Sequence, residues 1–298
     1  MVDKCVFTVA TGKKYRSFAY TLARSYHYHN DIAIPFFIVS DEDFVLPVDL
    51  EWVKKKIISK ELIGHGIEYK FSFDEVSPAE FSLFIDADSI IYKDISPLFD
   101  MAGSINVIGQ KITNETWADL ASVQVLSEFK IPYLIKYCGA FYFIGKNKTT
   151  AAVCETARQL WRSDYPFQQH RYSVNDEPIL SVSMARHNIE PILDTGNLWT
   201  DIAQLKTHKD LNVLKGIAQF TNSPGNIIQK PWIPMGSYSP SIVHMGGAIY
   251  NKNPWLFDSI RLRLYYKLKL SANISDVIVN VFVKGIYFLS KRLRNLFH

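Results

Sequence analysis

The chain alternates short apolar runs with segments whose apolar residues recur every three or four positions. That alternation limits the fold more than any other feature. "KCVFTVATG" reads as a buried strand ending in a turn of small residues. "YRSFAYTLARSYHYH" follows at helical spacing, and "IPFFIVSD" reads as a second strand. "FSLFIDAD", "INVIGQ" and "AFYFIG" read as later strands, while "TTAAVCETARQLW" and "DEPILSVSMAR" open on polar residues and continue as helices. Strands separated by helices lie parallel, with the helices covering the sheet. The expectation is an α/β fold on a largely parallel sheet, whose ligands bind beyond the carboxyl ends of the strands. Residues 10–15 and 86–88 fall at two such ends. Prolines cluster between 224 and 240, where an irregular crossing loop is expected.

"FIDADSII" places two aspartates at the end of an apolar run. In extended backbone, residues i and i+2 point to one side, so Asp86 and Asp88 share a space. Two bare carboxylates that close raise each other's pKa unless a cation lies between them. A hard divalent ion bound by carboxylate oxygen resolves the repulsion. The plainer reading is a solvated strand end with aspartates as caps. In "IVHMGGAIYNKNPW", His244 follows two β-branched residues and precedes Gly246 and Gly247, a pair that permits close backbone approach, with Lys252 beyond. Two carboxylates and one imidazole suit Mn²⁺ somewhat more than Mg²⁺ or Ca²⁺.

Taken in order, these segments resemble the glycosyltransferases of the GT-A fold, most closely family 8, the retaining galactosyl- and glucosyltransferases of the glycogenin and bacterial lipopolysaccharide type. "TVATGKKY" is similar to the first strand and nucleotide turn, with Tyr15 at the aromatic that stacks on uracil. Lys70 stands 16 residues before Asp86, where the family has a basic residue serving the donor. "LFIDADSIIYKDISPLF" resembles the metal-binding DxD segment nearly throughout. "YCGAFYFIGK", "NDEPILS" and "VHMGGAIYNKNPW" resemble the Asn-Ser-Gly, Asp-Gln-x-x-Leu-Asn and His-x-x-Gly…Lys-Pro-Trp segments. There are departures. Tyr137 and Cys138 replace asparagine and serine, and Glu177 and Ser181 replace glutamine and asparagine. Lys252 lies two residues further from the histidine than is common, and Asn253 separates it from Pro254.

The resemblance implies a Rossmann-like nucleotide-binding sheet fused to an acceptor-binding part, spanning residues 1–255. It implies a metal-dependent transfer of a hexose from a UDP-sugar to a glycan or lipid-linked saccharide, with retention. Asp86, Asp88 and His244 would hold Mn²⁺ or Mg²⁺. Ala10, Thr11, Tyr15, Lys70, Ala87, Gly247 and Lys252 would bind the donor, and Asp176, Glu177 and Lys252 would serve the chemistry. Asp176 and Glu177 also read as the acidic opening of a helix, where the dipole favours them. A carboxylate at Glu177 or Asp176 acting as base would instead permit inversion. A degenerate module that binds nucleotide sugar without turnover is a third reading. An aspartate-nucleophile phosphatase would carry its DxD after the first strand, whereas at least two strands precede Asp86.

The charge is unevenly placed. From Leu256 onward eight basic residues stand against two acidic ones, a net of +6. The whole chain carries +4, which leaves −2 for the first 255 residues. A nucleic-acid enzyme spreads its cations over the body, so nucleic acid is not an expected partner. Residues 256–298 read as a separate basic tail. In "NISDVIVNVFVKGIYFLSKRLRNLF" (273–297), Asn280 and Lys284 interrupt an apolar run too short to span a bilayer. Drawn as a helix, Asn273, Asp276, Asn280, Lys284, Lys291 and Asn295 lie along one side. Ile274, Ile278, Val281, Leu289, Leu293 and Leu296 lie largely opposite. The expectation is an amphipathic helix on an anionic membrane, and so a peripheral protein of the cytoplasmic face. A C-terminal helix packed on the body is the alternative. The three cysteines form no disulfide framework, which fits a reducing compartment.

Overall fold

The computed structural model describes residues 2–101, 103–117, 120–163, 176–194, 196–202, 208–222, 234–246 and 254–288. In chain order, the elements that position the site begin with β1 (Val2–Val9), α1 (Gly12–His29), β2 (Phe36–Ser40) and β3 (Lys54–Ile57). Then come β4 (Ala79–Ile85), β5 (Ser89–Ile91), β6 (Gly109–Ile112), β7 (Leu134–Tyr137) and β8 (Phe141–Gly145). Two helices follow, α2 (Lys148–Trp161) and α3 (Asp176–Arg186). Beyond them lie β9 (Trp199–Asp201), β10 (His208–Asn212), β11 (Ile217–Asn222), β12 (Gly236–Tyr238) and β13 (Ile242–His244). The described chain closes with α4 (Trp255–Lys267) and α5 (Ala272–Ile278).

The main sheet has the order β8-β4-β1-β2-β3. β4, β1, β2 and β3 run parallel, and β8 joins β4 antiparallel. β2, β4 and β1 from Cys5 onward are buried almost throughout, as strands covered on both faces must be. The edge strand β3, "KKKI", escaped the sequence reading because it has no apolar run. Its lysines blunt an edge that would otherwise offer unpaired backbone. A second sheet, β9-β13-β5, lies beyond the carboxyl end of β4, and β10-β11-β12 form an antiparallel meander. "INVIGQ" begins with isolated bridges, Asn106 to Phe143 and Ile108 to Ile192. The ladder with β7 starts only at Gly109. Within the proline-rich stretch, Gly236–Tyr238 is a strand rather than loop.

Phe7, Phe73, Phe84 and Tyr142 pack ring to ring with centroids 4.9 to 6.1 Å apart. Each such pair adds about 0.5–1.5 kcal/mol beyond its buried area. This cluster forms the floor beneath the strand ends at 86 and 139.

The tail is helical, with a wider π turn over Val279–Val283. Part of its polar side packs on the body, and its apolar side is exposed. Ser275, Asp276 and Val279 turn inward and are buried, while Ile274, Val277, Val281, Phe282, Ile286 and Phe288 are exposed. The reason is a buried network. Arg261 donates from Nε to Asp276 at 3.0 Å and from Nη1 to Asp258 at 2.7 Å. Tyr92 Oη and Val213 N–H donate to Asp258, and Asn212 and Asn280 donate to Asp276, which also pairs with Lys215. Among the described residues, no helix is long and apolar enough to cross a membrane.

Candidate functional site

β4 ends at Ile85, and the next residues turn sharply into β5. Asp86 N–H donates to Ala140 O at 2.9 Å, and Ser89 N–H donates to Asp86 O at 3.0 Å. That turn leaves both aspartate side chains on one side. Asp88 O accepts from Met245 N–H at 3.1 Å, which brings β13 alongside. The register pairs His244 with Ser89 on one flank and with Asp201 on the other. His244 Nε2 lies 3.2 Å from Asp88 Oδ1, and Nδ1 lies 3.8 Å from Asp201 Oδ1. The Trp199 ring stacks beside the imidazole with centroids 6.3 Å apart. Ligand atoms of Asp86, Asp88 and His244 lie within 4.8 Å of one another. Two hard oxygens and one nitrogen at that spacing fit a divalent cation of the Mn²⁺ or Mg²⁺ kind.

The electrostatics describe a site with more anion than it can hold alone. Burial pushes the Asp86 carboxyl up, and Lys70 and His244 offset only part of that. Burial also opposes the charge of Asp88, but His244 outweighs it and holds that carboxyl below its ordinary value. Burial disfavours an imidazolium at 244, yet the charge and hydrogen bond of Asp88 keep its pKa well above the ordinary value.

Lys70 was given, by the resemblance, the role of a basic residue serving the donor. It is 3% exposed, on a short 3₁₀ turn over Glu68–Ser72. Its Nζ donates to Gly139 O at 2.6 Å and lies 3.3 Å from Asp176 Oδ2 and 3.5 Å from Asp86 Oδ1. It also sits over the Phe84 and Tyr142 rings at 5.5 and 5.9 Å. Burial works against its charge, but Asp176 and Asp86 raise its pKa well above the ordinary value. Lys70 is thus the internal counter-charge that lets two carboxylates approach.

Asp176 opens α3 and is buried, with Oδ2 accepting from Tyr142 Oη at 3.1 Å. Glu177 Oε1 accepts from Gly139 N–H at 2.9 Å. Position 139 requires glycine, because a Cβ there would lie 2.6 Å from Asp176 Oδ2. The residue before it, Cys138, is half-buried, and burial pushes its thiol up to about 12.

A cavity of about 310 Å³ opens over these groups. Its walls are Val9, Tyr15, the Gly66–Ile67 turn, Tyr69, Lys70, Asp86, Ala87, Asp88 and His244. Tyr15 is 48% exposed and stands edge-on to Phe18 at 6.0 Å, which holds the ring upright. Ala10 is buried behind the turn, its N–H bonded to Val39 O, and Thr11 precedes α1. Gly12, at φ +68°, makes the turn from strand to helix in a conformation that costs other residues. Gly247 and Lys252 lie outside the described residues. Asp201, Tyr142 and the Gly66–Ile67 wall were missed by sequence reasoning. Only the three-dimensional register identifies Asp201, since "WTD" carries no spacing signal.

No known protein family matches the chain, and no curated protein matches it. Solved structures do. One is a galactosyltransferase, LgtC, in complex with donor and acceptor sugar analogs. It superposes with a TM-score of 0.54 at 11% identity, over 82% of this chain and 87% of that one. Another is the bifunctional glycosyltransferase WbbM in its apo form, with a TM-score of 0.54 at 12% identity over 93% of this chain. This chain spans about half of WbbM, 52% of its length. The chain therefore has the α/β fold of the GT-A glycosyltransferases, with the two aspartates and the histidine gathered at the mouth of its parallel sheet.

Proposed function

We propose that the chain is a metal-dependent glycosyltransferase that moves a hexose from a UDP-sugar to a glycan or lipid-linked saccharide, with retention. The observation that carries this reading is the cluster of Asp86, Asp88 and His244 under a cavity whose opposite wall is Tyr15. A divalent ion held by those three residues supplies positive charge to the diphosphate leaving group. The other roles belong to the chain itself. Tyr15 offers an aromatic face to the base, a contact worth about 1–3 kcal/mol. Lys70 neutralises Asp86 and Asp176 and fixes the carboxylate cage from beneath. Asp176 and Glu177, anchored by Tyr142 and Gly139, lie beside the carboxylate cage and are not among the residues that line the cavity.

Retention is supported by the engagement of both candidate bases. An inverting base must be available for the acceptor's proton. Asp176 is paired with Lys70 and hydrogen-bonded by Tyr142, while Glu177 accepts from a backbone N–H. The test is donor hydrolysis with UDP-glucose and UDP-galactose in the presence of Mn²⁺. The first hexose released is followed by proton NMR before mutarotation. The α-anomer supports retention, and the β-anomer refutes it. Binding without turnover of any donor favours the degenerate module.

The exposed apolar side of the tail supports association with an anionic membrane. A helix that spends its polar residues on the body and shows Val281, Phe282, Ile286 and Phe288 outward is unlike an ordinary surface helix. Exposed apolar residues beside a basic sequence suit the lipid–water boundary of the cytoplasmic face.

A further inference from the structure

His244 has two ring nitrogens, and the site described above uses only one. The other, Nδ1, is buried and lies 3.8 Å from Asp201 Oδ1, and the Cys138 thiol also lies against the ring. It faces a second set of groups, because Cys138 Sγ, an Asp201 oxygen and a His244 nitrogen also lie within 4.8 Å of one another. We propose that Cys138, Asp201 and His244 Nδ1 form a second metal site, selective for thiophilic ions such as Zn²⁺, that excludes the ion of the Asp86–Asp88–His244 set.

The three groups sit on backbone that cannot drift. Asp201 and His244 are register partners in the parallel pairing of β9 with β13, so their side chains share one face. Cys138 lies between β7 and β8, next to Gly139, whose N–H and C=O are held by Glu177 and Lys70. Tetrahedral Zn²⁺ with sulfur at about 2.3 Å and nitrogen or oxygen at about 2.0–2.1 Å sets its ligands roughly 3.3–3.6 Å apart. Side-chain rotations of about an ångström close the cluster to that spacing. A thiolate, an imidazole and a carboxylate leave a fourth position for water. That donor set suits Zn²⁺ better than Mn²⁺ or Mg²⁺, which bind oxygen-rich sites. On binding, the Cys138 thiol and the His244 ring each release a proton to solvent, and a lone pair from the sulfur and one from Nδ1 pass to the metal.

The exclusion follows from the imidazole. A neutral ring has one lone pair and one N–H. With Nδ1 on the soft metal, Nε2 carries the proton and donates to Asp88, already 3.2 Å away. The oxygen pair then loses its nitrogen ligand. The soft site stands on its own geometry, whereas the exclusion rests on the proposed role of Asp86 and Asp88.

The site is tested with Cd²⁺ on the full chain, read by its ultraviolet thiolate-to-metal charge-transfer band. The expected result is a band that saturates at one equivalent and is displaced by Zn²⁺. It should be lost in Cys138→Ser, weakened in Asp201→Asn and kept in Cys154→Ser. A missing band in the wild type, or one that survives in Cys138→Ser, overturns the site. Mn²⁺ binding, followed by the electron spin resonance of free Mn²⁺, tests the exclusion. One equivalent of Zn²⁺ should release bound Mn²⁺ from the wild type, whereas Cys138→Ser should need a larger excess, at which Zn²⁺ competes directly for the oxygen site. Both ions bound together would overturn the shared imidazole. A wild type that never binds Mn²⁺ would count against the transferase reading and the exclusion, while the Cd²⁺ result still decides the soft site.

Discussion

Replacing Lys70 by methionine tests how the carboxylate cage is held together. The substitution keeps the length of the side chain and removes its charge. It leaves Asp176, which is 6% exposed, without its cation and takes the Nζ–H donor from Gly139 O. Asp86 loses its Lys70 partner, at 3.5 Å. Breaking a buried ion pair by removing one member costs about 3–5 kcal/mol. At about 2–4 °C per kcal/mol for a large domain, the melting midpoint should fall by about 6–20 °C. The second half of the test is Lys70→Met combined with Asp176→Asn, which removes the stranded charge as well. The double variant should be more stable than the single lysine variant, with a coupling of about 0.5–3 kcal/mol. Thermal unfolding followed by circular dichroism reads both. A Lys70→Met midpoint within about 2 °C of the wild type, or strictly additive losses, would refute Lys70 as the internal counter-charge.

Tyr15→Ala should weaken UDP binding by about 5- to 150-fold in a titration, from the loss of about 1–3 kcal/mol of stacking. Burial raises the Asp276 carboxyl, but Lys215 and Arg261 outweigh it and hold its pKa below the usual 3.8. A depressed folded-state pKa gives stability that is present above 3.8 and lost as pH falls through the lowered value. Asp276→Asn should therefore lower the unfolding midpoint at neutral pH, and the deficit should shrink on acidification below 3.8. Phe282→Asp with Ile286→Asp, at exposed positions, should abolish cosedimentation with anionic phospholipid vesicles while the unfolding midpoint stays put. Equal sedimentation of the two proteins would remove the apolar face from the account.

What could be read in the sequence was what depends on neighbouring residues. The strands at 2–9, 36–40, 79–85 and 141–145 carry unbroken apolar runs, and period alone marks α1 and α2. The i, i+2 rule places Asp86 and Asp88 together because both follow one strand. Features that depend on distant pairing were hidden. The resemblance singled out Lys70, but not its burial or its role, which appear only when Gly139, Asp86 and Asp176 close around it from three parts of the chain. Asp201 reaches His244 through a strand pairing 43 residues away. The polar contacts of the tail were hidden in the same way. A helical wheel assigns polar residues to water, but Arg261 lies buried under the helix and draws Asp276 inward. The apolar side is then left outside.

The account stands on a divalent ion bound by Asp86, Asp88 and His244, and on a diphosphate bound through it. Calorimetric titration of UDP into the wild type and Asp88→Asn, each with and without Mn²⁺, addresses both at once. The account predicts UDP binding that requires Mn²⁺ in the wild type and collapses in Asp88→Asn. UDP binding that is indifferent to Mn²⁺, or unchanged by the substitution, would contradict it.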